Sequence, residues 1–196
     1  MHRVLYLVGI GYLALCGMIV QRHRHPRYNI PRDPLATRYW YSEAGYAWWG
    51  RAKPHCNALE VEMLHRRDPA PYAQDAQSYS AACYALAGKI DSAKAIIDRL
   101  SKDDRYKAAG IVFDIAHPIA DAGDDRSAGP IMELVIGYWP NHYMALYHAG
   151  MAEYAIGDLN RARKNLTAFR SYYHQDDGWT RNAQLVLARL GVEAEP

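Results

Sequence analysis

His117 and Asp121 stand four residues apart, so in a helix an imidazole and a carboxylate would share one face. Such a pair can relay a proton or occupy two positions on a divalent metal ion. The chain offers nothing that completes a known catalytic motif around it. There is no H-E-x-x-H, His142 and His148 are six apart and do not share a helix face, and Cys16, Cys56 and Cys83 form no C-x-x-C. The acidic pairs Asp103-Asp104, Asp124-Asp125 and Asp176-Asp177 fall in expected turns, where Asp caps helices rather than serving as acid and base. No G-x-S-x-G, Walker A or C-x-x-C-H sequence is present, and the G-x-G-x-x-A match at Gly9 to Ala14 has no strand before it and lies inside an apolar run. The expectation is a protein that is not an enzyme, with no cofactor, no metal and no small-molecule substrate. A metal-dependent hydrolase built on His117 and Asp121 is the weaker alternative.

The elements that must position these residues follow from composition and pattern. The chain has 196 residues, half of them hydrophobic and 22% charged, which excludes a disordered tail or a collagen-like fibre. Three Cys are too few for a dense disulfide framework, so stability is expected from a core. The net charge of +2 is unevenly divided: residues 1–32 hold five Arg and no acid, and the remaining 164 residues hold 18 basic and 21 acidic groups.

The run Val4 to Val20 is seventeen residues without a charge, about 25 Å long as a helix, and reads as a short transmembrane anchor occupying residues 1–21 with its head. Arg3, Arg22, Arg24 and Arg27 flank it at the membrane interface, and Gly11, Ala14 and Gly17 form a small-residue face on which another helix could pack. Residues 22–34, with three Pro, form a basic juxtamembrane linker suited to anionic lipid rather than nucleic acid. The Arg excess after the run favours a body on the cytoplasmic side; the short one-Arg head favours export, and a periplasmic body is the alternative.

The body repeats. Turn glycines occur at 88, 123 and 157, with a small residue seven positions before each (Ala81, Ala116, Gly150) and Ala five positions after (Ala93, Ala128, Ala162). Larger apolar residues follow in phase at Ile97, Met132 and Leu166, then at Leu100, Val135 and Phe169. This spacing describes an antiparallel helix pair: a first helix ends at Gly, Asp124 or Asp158 caps the second, and small residues face each other where the backbones approach. The units at about 74–108, 109–142 and 143–176 resemble tetratricopeptide repeats, a match covering about half the chain. It is divergent: the early Trp of the family is replaced by Gln77, Val112 and Leu146, and its closing Pro occurs only at Pro140. The expected fold is all-α, a short solenoid of antiparallel helix pairs preceded by one transmembrane helix. A degenerate aromatic-rich pair at 35–73 precedes the three repeats at 74–176, and a capping helix with a tail follows at 177–196.

The resemblance implies a concave binding face on the first helix of each pair. Carried over position by position, it gives Asp75, Ser78, Ala82 and Leu86, then Phe113, His117 and Asp121, then Met144, Tyr147, Met151 and Tyr154. None is the Lys or Asn with which family members hold acidic peptides, so an apolar or helical segment is the expected partner. A second candidate interface is the cluster Tyr39, Trp40, Tyr41, Tyr46, Trp48 and Trp49, six aromatics in eleven residues. The expected function is a membrane-anchored scaffold or accessory subunit that contacts the lipid bilayer and binds other protein subunits of a translocon, an envelope machine or a respiratory or photosynthetic complex. The alternative is a periplasmic or soluble chaperone-like carrier released by signal cleavage.

Overall fold

A computed structural model describes residues 42–191. The anchor run, its flanking Arg residues, Gly11, Ala14 and Gly17, and the aromatics Tyr39, Trp40 and Tyr41 lie outside the described residues. Among those described there are nine α-helices and no strand: α1 (Glu43–Ala52), α2 (Val61–Arg67), α3 (Gln74–Leu86), α4 (Ile90–Asp98), α5 (Lys102–Asp121), α6 (Asp125–Tyr138), α7 (Tyr143–Ile156), α8 (Leu159–Tyr172) and α9 (Gly178–Arg189). The chain is therefore all-α in this region. Among the described residues no helix is long and apolar enough to cross a membrane.

The helix ends follow local chemistry. Gly88, Gly123 and Gly157 have φ of 73°, 87° and 85°, the left-handed conformation that stops a helix and that a side chain disfavours. After each, the backbone N–H of the next residue reaches back five positions: Lys89 to Tyr84, Asp124 to Ile119 and Asp158 to Glu153, at 2.9, 3.2 and 2.9 Å. Three turns thus close by the same hydrogen bond. Asp124, Asp158 and Asp177 then accept from the N–H of Ser127, Arg161 and Thr180, capping α6, α8 and α9. α5 begins at Lys102, so the unit boundary read at 108/109 falls inside this helix.

Consecutive helices pack on one another from α3 to α9, except that α4 meets α5 only lightly; α3 also packs directly on α5, and α1 on α3. The phased small positions Ala81, Ala93, Ala116, Ala128 and Ala162 are fully buried, as are Ile97, Met132, Leu166, Val135 and Phe169. A Cβ on Gly150 would stand 2.7 Å from the Leu166 side chain, and one on Gly129 would stand 2.5 Å from the Ala152 Cβ. The partner of Gly150 at closest approach is therefore Leu166, one turn beyond Ala162, and Gly129 makes a second close seam between α6 and α7. Ala81, Ala93, Ile97, Ala116, Ala128, Met132, Val135, Leu166 and Phe169 belong to one core cluster running from α3 to α9.

A second cluster holds α1, the segment after it, α3 and α5 together: Trp48, Trp49, Ala52, Cys56, Val61, Tyr79, Cys83, Ala87 and Ile111. Within it Cys56 and Cys83, 27 residues apart, are joined by a disulfide. One covalent cross-link thus adds to the core expected from the sequence, tying the turn after α1 to α3. The spacing of the two Cys carries no disulfide motif, and only the packing of α1 against α3 brings them together.

Candidate functional site

α5 presents Phe113, His117 and Asp121 at successive four-residue steps on one face. His148 approaches from α7, and Asp125 from the first turn of α6. His117 Nε2 lies 3.3 Å from Asp121 Oδ1, and His148 Nε2 lies 3.5 Å from the same oxygen. On its other side, His148 Nδ1 is 3.6 Å from Asp125 Oδ1. One ligand atom each from His117, Asp121 and His148 can be chosen so that all three lie within 4.8 Å of one another. His148 is 3% exposed, whereas the Asp121 side chain is 45% exposed, so the cluster opens to solvent at the carboxylate. Rings hold the imidazoles from the sides: Phe113 stacks on His117 at 4.6 Å, and Tyr147 meets His148 edge-on at 5.1 Å.

Burial lowers the pKa of His117; Asp121 opposes that shift and the neighbouring His148 adds to it. His142, next to Phe113 at 4.0 Å, is pushed down to about 4, chiefly by burial. Its neutral Nδ1 accepts from the Ala145 N–H and caps α7. To the His117–Asp121 pair legible in the sequence the structure adds His148, so that three potential ligand atoms converge here from two helices. His117 and Asp121 were legible as a pair. His148 and Asp125 were not, because they reach the site across helices rather than along one. The available signal was that His117 and His148 both flank the small positions Ala116 and Gly150, where first and second helices draw close.

The other predicted site residues divide. Phe113, Met144 and Tyr147 are buried in the core cluster, as are Ala82 and, outside that cluster, Asp75 and Ser78; Met151 and Tyr154 are half-buried. The groove expected from the resemblance is therefore largely filled by the rings and thioethers meant to line it, and His117 and Asp121 remain at its rim. Asp75 is committed as well: both the backbone N–H and the hydroxyl of Ser42 donate to its carboxylate, the hydroxyl at 2.8 Å, at the start of α1. In the aromatic cluster Tyr46 is exposed, but Trp48 is fully buried, with its Nε1 donating to the Asp68 carbonyl at 2.9 Å. Trp49 is also buried and stacks on Tyr79 at 5.4 Å. These two Trp anchor α1 to the rest of the domain, which corrects their assignment to an external interface.

Among the described residues the surface also carries clefts away from this cluster. One of about 750 Å³ lies between the α2–α3 connection and α4, lined by His65, Tyr72, Tyr84, Ile96, Arg99 and Leu100 among others. A mainly apolar groove of about 450 Å³ runs over α1, α3 and α5, lined by Tyr46, Trp49, Tyr79, Ile111, Asp114 and Ile115. Compared with protein-family models, curated proteins and solved structures, the chain matches none of them.

Proposed function

We propose that this protein is a membrane-tethered helical-repeat scaffold, an accessory subunit that binds other proteins of a membrane assembly. The observation that carries the proposal is the threefold recurrence of one device, a helix closed by a left-handed glycine and followed by a second helix, at Gly88, Gly123 and Gly157. Repeats of this kind, as in the tetratricopeptide family, stack into short solenoids whose extended faces bind protein segments. The apolar run Val4 to Val20 and its Arg collar supply the tether, which raises the effective concentration of a weak binding face for neighbours in the same bilayer.

The binding face favoured by the surface is the apolar groove between Tyr46 and Ile115, since the face inferred from the family pattern is mostly filled. The Cys56–Cys83 disulfide supports placing the body in an oxidising compartment, outside the cytoplasm, against the Arg excess that favours the opposite side. The test is purification of the tagged full chain in mild detergent, followed by mass spectrometry of what accompanies it. A stoichiometric partner that is lost on Tyr46→Arg is the expected result, because Tyr46 is 64% exposed and can be changed without disturbing the core. Recovery of the chain alone would overturn the scaffold reading.

A further inference from the structure

The buried and half-buried histidines use their nitrogens in contrasting ways. His65 donates from Nδ1 to the Val61 carbonyl at 2.8 Å and accepts at Nε2 from the Ser80 hydroxyl at 2.8 Å. His142 spends Nδ1 on a helix cap. His148, the most deeply buried of them, makes no hydrogen bond from either ring nitrogen, and the neighbouring His117 Nε2 makes none either. A buried polar group left in that state has given up water and received nothing in return.

The surroundings of His148 sharpen the problem, because they supply acceptors. Asp125 Oδ1 faces Nδ1, and Asp121 Oδ1 faces Nε2. A neutral imidazole carries one ring proton and can serve one carboxylate. With that proton directed to Asp125, the Nε2 lone pair of His148 points into the same space as Asp121 Oδ1 and His117 Nε2. A proton on His117 Nε2 relieves one of these contacts and leaves the other.

A cation placed among the three atoms satisfies all of them. Tetrahedral coordination at bond lengths of about 2.0–2.1 Å gives edges of about 3.3–3.4 Å between ligand atoms. The two separations from Asp121 Oδ1, 3.3 and 3.5 Å, are of that size; the three ligand atoms together lie within 4.8 Å, so binding draws the two imidazoles closer. Two imidazoles and one carboxylate suit zinc and its transition-metal neighbours, whereas calcium and magnesium require shells built from oxygen. Asp125 Oδ1 stands 3.6 Å behind Nδ1, on the side from which a carboxylate orients a metal-ligating ring.

We propose that His117, Asp121 and His148 bind a single divalent transition-metal ion of the zinc class, which bridges α5 to α7 and keeps one coordination position open to solvent. The ion ties together the first helices of two successive pairs, so it stabilises the folded chain by mass action. The open position, on the side of the exposed Asp121, can accept water or a donor atom from a partner.

The test uses the full chain, purified in detergent, stripped with a chelator and titrated separately with Zn²⁺, Mg²⁺ and Ca²⁺ while heat release and melting temperature are followed. Zn²⁺ is expected to bind at this site once per chain and to raise the melting temperature, with no rise from Mg²⁺ or Ca²⁺. Asp121→Asn and His117→Gln should each weaken Zn²⁺ binding about tenfold or more. His148→Ala should abolish binding at the site, and Co²⁺ should give the intense visible absorption of a four-coordinate ion in the unmodified chain but not in Asp121→Asn. If His148→Ala fails to fold, the other two variants decide, since both side chains are partly exposed. Undiminished Zn²⁺ affinity in both Asp121→Asn and His117→Gln, or no Zn²⁺-dependent rise in the melting temperature of the unmodified chain, would overturn the proposal.

Discussion

Glu153 is a carboxyl group held in surroundings that favour its neutral form. It is buried on α7, and burial together with a carboxyl contact from Glu133 pushes its pKa up to about 8, outweighing the opposing Asn165 hydrogen bond at 2.8 Å and Arg161 at 3.3 Å. Because the folded-state pKa lies above the unfolded value of 4.5, the folded chain holds a proton that the unfolded chain has released between these limits. Stability from this group is complete below about pH 4.5 and declines as pH rises toward about 8. Glu153→Gln should flatten that decline. Urea melts at pH 5, 6.5 and 8 check it, and an equal fall in both chains would refute the assignment. His142 works in the other direction: with its pKa depressed to about 4, it subtracts stability as pH falls from about 6.5 toward 4. None of this was visible in the residue order. Glu153 and Glu133 are twenty apart, on helices that meet only through tertiary packing.

At the scale of elements, the helix pairs were legible because their signals are local. Glycine with positive φ ends a helix wherever it occurs, and an Asp that follows can cap the next helix without help from distant residues. Gly157→Ala should cost about 1 kcal/mol, from backbone strain alone, since no atom lies within 4 Å of where its Cβ would stand. Ala162→Leu, at a fully buried position, should cost about 1–3 kcal/mol by overpacking. Denaturant titration of each variant checks both, and unchanged midpoints would remove the packing register from α7 to α8. The α1 segment was less legible. Its aromatic richness has the composition of a surface patch, yet Trp48 and Trp49 are the apolar knobs that fix α1 against α3, and the disulfide beside them closes a loop of 27 residues. Reduction of that bond should destabilise the domain by about 3–4 kcal/mol on chain-entropy grounds, measured as a shift in denaturant midpoint with and without reductant.

For the whole molecule, the Cys56–Cys83 bond bears on where the body resides. Alkylation of the denatured full chain without reductant should modify one of its three Cys, Cys16, and all three after reduction. Modification of all three in unreduced material isolated from its native compartment would return the body to the cytoplasmic side favoured by the Arg count. Residue order by itself determined the helical class of the body, the helix ends at the turn glycines and the buried small positions, because each depends on neighbours within one or two turns. Only the tertiary structure decided that Cys56 meets Cys83, that most of the inferred groove is filled, and that His148 comes to face His117 and Asp121. Contacts between helices about thirty residues apart depend on how side chains interdigitate, and periodicity along the chain carries no record of that.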